Sequence, residues 1–466
     1  MSLIDVLVPA AVIVFAVAAL GFGRIVHRIA PYALAAIVIG CVAQVVVERF
    51  YWQFVPTYVL IAAVGGFVLA RRRPRERRRR IIGIAARGGV GLLVLLAAIA
   101  WLVVPVPRLP KPTGPYPVGT QTFRWVDQQR PETATDSADD RRNVVVQAWY
   151  PADPSASGDG SAYIDGLGHL PRQVSALPSF LMRGYGDIAT HARRAVPVNT
   201  DRARWPVVLF SPGYGAPRAF YTGLIADLAS RGVIVLAVDH PYEVAVTELA
   251  DGTIATPIER FLDDDPDGDR YMNGRLDTRV ADLRFVLDQL ERPGSLGTGL
   301  SGRLDTDHVA AIGHSFGGAA ATTALATDPR LRAAADIDGT LYGTVPRQSL
   351  TKPFLLLESD HAETKHSQIY NDRIRSLLEH LGAGGYRYEI LRANHFSFTD
   401  VPRYLATPGR FLLAHAIGGS RGPRETQRAT NDILMAFLQQ PLGGAAADVP
   451  AAARHYPDVR GGPVVR

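Results

Sequence analysis

The first hundred residues alternate long apolar runs with short charged breaks. Four runs stand out, about Val6–Gly23, Ala30–Val47, Phe54–Ala70 and Gly88–Val106. Each is near the roughly 17 to 25 residues that a helix needs to cross about 30 Å of hydrocarbon, so the pattern predicts a four-helix transmembrane region over 1–106. Beyond it the pattern shortens. "NVVVQAWY", "WPVVLFS", "GVIVLAVD", "HVAAIG", "AAADID", "PFLLLES" and "YRYEILRA" read as strands, with helical stretches such as Phe220–Ser230, Thr278–Leu290 and Gln368–Leu381 between several of them. Buried, Val-rich strands alternating with helices predict an α/β domain over 121–440, a mostly parallel sheet with helices on both faces. A Pro-rich stretch over 107–120 reads as a stiff linker, and the Gly- and Ala-rich tail over 441–466 as disordered.

Charge sets the expected orientation. The segment Arg71–Arg80 holds eight Arg and one Glu, or +7, against +6 for the whole 466-residue chain, so the remainder sums to −1. Short Arg-rich loops stay in the cytoplasm. The loop with Arg24, His27 and Arg28 agrees, placing the N-terminus and everything after about residue 107 outside the cytoplasm. The first run has only Asp5 ahead of it, without the basic segment of a cleaved signal peptide. Because the basic charge is local, it points to anionic lipid at the helix ends and not to nucleic acid. The single cysteine, Cys41, lies in the second apolar run, so a disulfide or thiolate metal site elsewhere is excluded.

Two Gly-x-Ser-x-Gly strings occur, around Ser315 and Ser420. Ser315 stands between the apolar strand "HVAAIG" and the small-residue helix "GGAAATTALA". That context suits a nucleophile elbow, in which Gly313 and Gly317 let neighbouring backbone pass and the helix end supplies free N–H groups. Ser420 lacks both flanks. A serine needs a base, and His395, just after the last strand, follows the order Ser, acid, His of this architecture. His361 and His366 come one strand too early, His415 and His455 too late, and His240 and His314 read as structural. The acid is open between Asp338 and Asp360, each ending a strand after the serine. The backbone N–H groups of Phe316 and Tyr214, the latter in the Gly-rich turn "SPGYG", are the candidate oxyanion donors. Nothing calls for a cofactor or metal. "DDDPDGD", Asp263–Asp269, opens like a calcium loop, but the twelfth position is Gly274 and not Glu. It reads as a solvated acidic loop within a long segment, Tyr242–Arg275, that could form a lid.

"LFSPGYGAPRAFYTGLIADLASRGVIVLAVDH", "VAAIGHSFGGAAATTALATDPRLRAAADID" and "NHFSFTD" together resemble the plasma-type platelet-activating factor acetylhydrolases among the α/β hydrolases. The resemblance covers roughly Trp205–Asp400. It implies a calcium-independent serine esterase that removes short or oxidised acyl groups from phospholipids, with the acid on the strand directly after the nucleophile, at Asp338. Two departures bear on the acyl donor: Pro212 where the family often has His, and "IDGTLYG" in place of a Trp-containing stretch. The alternatives are a broader carboxylesterase or polyester hydrolase of cutinase-like specificity, and, from another class, a non-catalytic membrane-bound ligand-binding protein. Neither composition nor motif speaks to the oligomeric state.

Overall fold

The computed structural model describes residues 3–21, 24–48, 50–51, 54–70, 88–97, 107–169, 179–258, 268–405 and 419–464. The chain divides into two compact units, Met1–Arg108 with Arg403–Leu412 and Leu109–Pro402 with Leu413–Arg466.

In the first unit, the helices Leu3–Gly21, Arg24–Glu48 and Val55–Ala70 and a further helix over Gly88–Ala97 share a core that includes Phe15, Ala30, Leu60, Val64, Val90 and Ala97. The expectation of four spans is not met. Among the described residues one helix, over Ala30–Val47, is long and apolar enough to cross a membrane; the other apolar stretches are Leu7–Ala18, Val55–Gly66 and Gly88–Ala97. These three described stretches hold 12, 12 and 10 residues, about 15 to 18 Å at 1.5 Å per residue. The fourth expected run, Gly88–Val106, continues past Ala97 into residues outside those described. The Arg71–Arg80 loop lies outside the described residues.

The second unit is built on a ten-stranded sheet in the order β12 (Val459–Val464), β11 (Gly385–Ile390), β10 (Phe354–Ser359), β9 (Leu331–Ile337), β8 (Leu304–His314), β4 (Trp205–Ser211), β5 (Ile234–Asp239), β2 (Arg141–Pro151), β1 (Val118–Pro131), β3 (Ala192–Arg194), with β6 (Thr247–Glu248) and β7 (Ile254–Ala255) forming a separate pair. Its middle is parallel: β5 (Ile234–Asp239), β4 (Trp205–Ser211), β8 (Leu304–His314), β9 (Leu331–Ile337), β10 (Phe354–Ser359) and β11 (Gly385–Ile390). These match the strands expected from the sequence. Every residue of β4, β5 and β10 is buried, as continuous apolar runs in a sheet covered on both faces require. The helices Phe316–Thr327 and Gly268–Glu291 contribute Ala319, Ala320, Ala324, Leu276, Val280 and Leu283 to the core.

The edges depart from expectation. Strand β1 (Val118–Pro131) starts inside the expected linker and pairs antiparallel with β2 (Arg141–Pro151), while β3 (Ala192–Arg194) pairs parallel with β1. The tail expected to be disordered holds a helix, Val449–Arg454, and strand β12 (Val459–Val464), which pairs antiparallel with β11. Backbone hydrogen bonds to an existing strand order this segment, and Asp448 caps the helix by accepting from Ala451 N–H at 2.8 Å. Composition alone does not register either effect.

Candidate active site

Strand β8 ends at His314, and the chain turns at Ser315 into the helix Phe316–Thr327. Ser315 has φ 56°, a strained conformation for a residue with a side chain. It is held there by its own N–H donating to Ile337 C=O at 2.8 Å and by its C=O accepting from Gly318 N–H at 2.9 Å. The flanking glycines are sterically required. A Cβ on Gly313 would lie 2.1 Å from Gly317 O, and one on Gly317 would lie 2.0 Å from Ser211 O of β4. Since backbone on the central strand cannot swing aside, Gly317→Ala is expected to cost about 3 kcal/mol or more of stability. A denaturant midpoint equal to that of the parent would contradict this account of the turn.

The structure brings Ser315, His395 and Asp338 together. His395 opens a short 3-10 turn, His395–Phe398, fixed by a reciprocal cap in which Asn394 accepts from Phe396 N–H at 3.0 Å and Ser397 Oγ accepts from Asn394 N–H at 2.9 Å. His395 Nε2 is 2.9 Å from Ser315 Oγ and its Nδ1 is 2.7 Å from Asp338 Oδ2. A carboxylate only accepts, so Nδ1 carries the proton and Nε2 is free to take the serine's. Asp338, just past β9, is buried. Burial opposes its ionisation, but the hydrogen bonds from His366 and His395 outweigh that, and its carboxyl is held well below the usual carboxylate range. Ser359 adds N–H and Oγ–H donors at 2.8 and 2.9 Å.

Asp360, the other candidate acid, is occupied elsewhere. Its oxygens accept from Ala362 N–H at 2.8 Å and Arg392 N–H at 2.7 Å, capping the short helix His361–Thr364. Ser420 Oγ donates to Glu363 at 2.7 Å on the surface, and His455 bonds Ala451 C=O. His415 and Asp263–Asp267 lie outside the described residues; Asp269 pairs with Arg373 at 2.6 Å. Of the Tyr242–Arg275 segment, 259–267 is outside them too.

Tyr214 and Phe316, the candidate oxyanion donors, stand next to each other, their rings meeting edge-on at 6.1 Å. The amide of Gly213 is already used, donating to Tyr221 Oη at 3.0 Å. Arg279, fully buried on the long helix, donates to Pro212 C=O, to Gly213 C=O at 3.3 Å and to Ser211 Oγ at 3.2 Å, and lies 4.8 Å over the Phe316 ring. One guanidinium therefore fixes the loop before Tyr214 and touches Phe316. Its charge is balanced by Glu243, which accepts from Arg279 Nε at 2.8 Å. His240 bridges Ser211 Oγ, at 3.0 Å, to Asp282, at 2.8 Å, and Asp282 also pairs with Arg142 at 2.7 Å.

A second chain of hydrogen bonds runs beneath the site. Gly213 N–H donates to Tyr221 Oη, whose hydroxyl lies 2.8 Å from His314 Nδ1, and His314 Nε2 donates to His395 C=O at 2.9 Å. Burial and the neighbouring His395 push the His314 imidazole down to about 3, so it stays neutral with one donor and one acceptor. His314, between Tyr221 and the His395 carbonyl, and His240, between Ser211 and Asp282, are both buried. Tyr221, Arg279, Glu243 and the contact of His366 with Asp338 were missed. Only His366 had a legible signal, since "HAETKHS" follows a strand that ends at the same sheet edge as the acid.

The profile of the family described as platelet-activating factor acetylhydrolase, isoform II, matches residues 103–254 and 283–448. This chain belongs to that family. Curated relatives include a probable 1-alkyl-2-acetylglycerophosphocholine esterase of Arthroderma benhamiae, 26% identical over 65% of this chain and 78% of the relative. The platelet-activating factor acetylhydrolase of Canis lupus familiaris is 25% identical over 72% of this chain and 78% of its own. Among solved structures, a ferulic acid esterase from Streptomyces cinnamoneus superposes with a TM-score of 0.63 at 29% identity, covering 76% of this chain and 99% of that one. The chain is thus a carboxylic ester hydrolase of the α/β-hydrolase superfamily. The family match skips 255–282, which carries Arg279 and Asp282.

Proposed function

We propose that this family member is a serine esterase in which Ser315 attacks an ester carbonyl. The observation that carries the reading is the continuous hydrogen-bonded line from Ser315 Oγ through His395 to Asp338. His395 Nε2 takes the serine proton as the bond to the carbonyl carbon forms and returns it to the departing alcohol. Asp338 holds the ring in the required tautomer and stabilises the imidazolium. The amides of Phe316 and Tyr214 face the oxyanion. Water, activated by the same histidine, then cleaves the acyl-enzyme.

The family and its phospholipid-esterase relatives favour short or oxidised acyl groups on phospholipids. A membrane location is supported by the helix over Ala30–Val47, whose Ile39, Val42 and Val46 are exposed. Apolar side chains facing outward on a helix suit lipid better than water. A second reading, aromatic acyl esters, is favoured by one feature. Tyr214, Phe316, Tyr342 and Tyr271 form a contiguous ring cluster beginning beside the nucleophile, and a structural neighbour is named a ferulic acid esterase.

The deciding measurement is turnover by the full chain in detergent micelles on matched phospholipids with an sn-2 acetyl or long acyl group, on methyl ferulate and on p-nitrophenyl acetate. Preference for the acetyl lipid over its long-chain counterpart is expected to be about a hundredfold. Faster turnover of methyl ferulate than of either lipid would replace the phospholipid reading with the aromatic one.

A further inference from the structure

Asp338 is bonded by two histidines. His366 Nε2 lies 2.9 Å from Asp338 Oδ1, while His395 Nδ1 takes Oδ2 at 2.7 Å. The two rings come from different loops, one after β10 and one after β11. His366 is itself almost entirely buried, its side chain 5% exposed, and stacked on Tyr370 with centroids 4.1 Å apart at 20°. Tyr370 in turn donates to the buried Glu358 at 2.9 Å, and Arg387 donates to the same carboxylate. The His366 ring is thus gripped from behind, with one nitrogen presented to the acid.

Its other nitrogen indicates that the arrangement has a cost. His366 Nδ1 is buried with no hydrogen-bond partner, and leaving such an atom unsatisfied is unfavourable unless the ring is needed where it is. A phenylalanine would fill the same space and stack on Tyr370 without that penalty. What phenylalanine cannot supply is the N–H on Asp338 Oδ1.

We propose that His366 is a positioning residue for the acid: it joins Ser359 on Asp338 Oδ1, keeps Oδ2 turned to His395, and sets how strongly the carboxylate stabilises the His395 imidazolium. The inference rests on the triad reading above. With His366 added to the Ser359 donors on Oδ1, less of the carboxylate's negative charge is available to His395; without it, the imidazolium is stabilised more, and the acid limb of the rate profile reads that change. Other groups face this pair from every side. They are His314 against His395, Asp336 on β9, Glu358 on β10 with Arg387 on β11, and His361 and Tyr370 against His366. All of them remain in the variants below, so a change between variants belongs to the one contact.

The test is the pH profile of kcat/KM for p-nitrophenyl acetate with the full chain carrying His366→Phe, which keeps the stacking ring, or His366→Gln, whose amide reaches where Nε2 does. In His366→Phe the acid limb is expected to move up by about half a pH unit or more, and kcat to fall about tenfold with KM within about twofold. His366→Gln should recover most of both. Parental kcat and an unmoved acid limb in His366→Phe, or a Gln variant no better than the Phe variant, would overturn the proposal. Ser315→Ala is measured alongside. Turnover retained there overturns the triad and this inference together, whereas turnover lost there with an unmoved limb in His366→Phe overturns this inference alone. If His366→Phe does not fold, as judged by near-ultraviolet circular dichroism, His366→Gln decides: parental kcat and limb support the donor role, and a tenfold loss in a folded Gln variant counts against it.

Discussion

Ser315→Ala is expected to lower kcat by about 10⁵- to 10⁶-fold, the scale on which removing the nucleophile of such a unit acts. The fold should be untouched. Ala meets the same conformational demand at φ 56° as Ser, the backbone bonds to Ile337 and Gly318 use no side-chain atom, and one hydroxyl is lost from a site that is open to substrate. The melting temperature should therefore stay within a few degrees. Burst kinetics give an independent view: the parent should release a stoichiometric pulse of p-nitrophenol before its steady state if deacylation is slow, and the variant none. A variant that still turns over at a hundredth of the parental rate would show that another group attacks the ester.

Asp338→Asn carries the second largest expected effect, about 10⁴-fold in kcat. The substitution preserves volume, and Ser359 and His366 can still bond the amide oxygen. The damage is to proton bookkeeping. The Asn nitrogen would face His395 Nδ1 as a donor, forcing the ring's proton onto Nε2, where it blocks acceptance from Ser315. Asp360→Asn is the matched comparison, because Asp360 also ends a strand at this edge. Its oxygens serve Ala362 and Arg392, so its loss should cost some stability at a helix cap and leave kcat within about threefold. The reverse ranking, measured side by side on p-nitrophenyl acetate, would move the acid to Asp360.

The sequence made the parallel middle of the sheet legible because those strands are buried on both faces and therefore apolar throughout. Strand β1, bordered on its outer side by only the three-residue β3, and the edge strand β12 escaped because strands at or next to an edge need no such run. In β1 residues such as Gln121, Arg124 and Gln128 break the apolar pattern, and β12 is tied mainly by backbone to β11. The serine and histidine were legible for a different reason: a tight turn leaves glycines at fixed spacing, and strand order places the base. Asp338 and Asp360 could not be separated by residue type or position alone. What separates them is that Asp360 begins a helix and spends both oxygens on backbone amides. Arg279 and Tyr221 act across the fold, so no local pattern encodes them, whereas His366 stands in a short loop after a strand that ends beside the acid. The apolar N-terminal runs were legible as helices, while among the described residues the one over Ala30–Val47 is long and apolar enough to cross a membrane.

The pairing of β12 with β11 has a practical side. Any shortened protein cut at Pro441, just past the expected domain end at 440, would strip the sheet of its last strand and bare the outer row of amide and carbonyl groups on β11. Such a row is a template for strand addition by a neighbouring molecule. The final residues thus complete the sheet beside β11, and a shortened protein is expected to aggregate more readily when it ends at Pro441 than when it keeps β12, as light scattering would read.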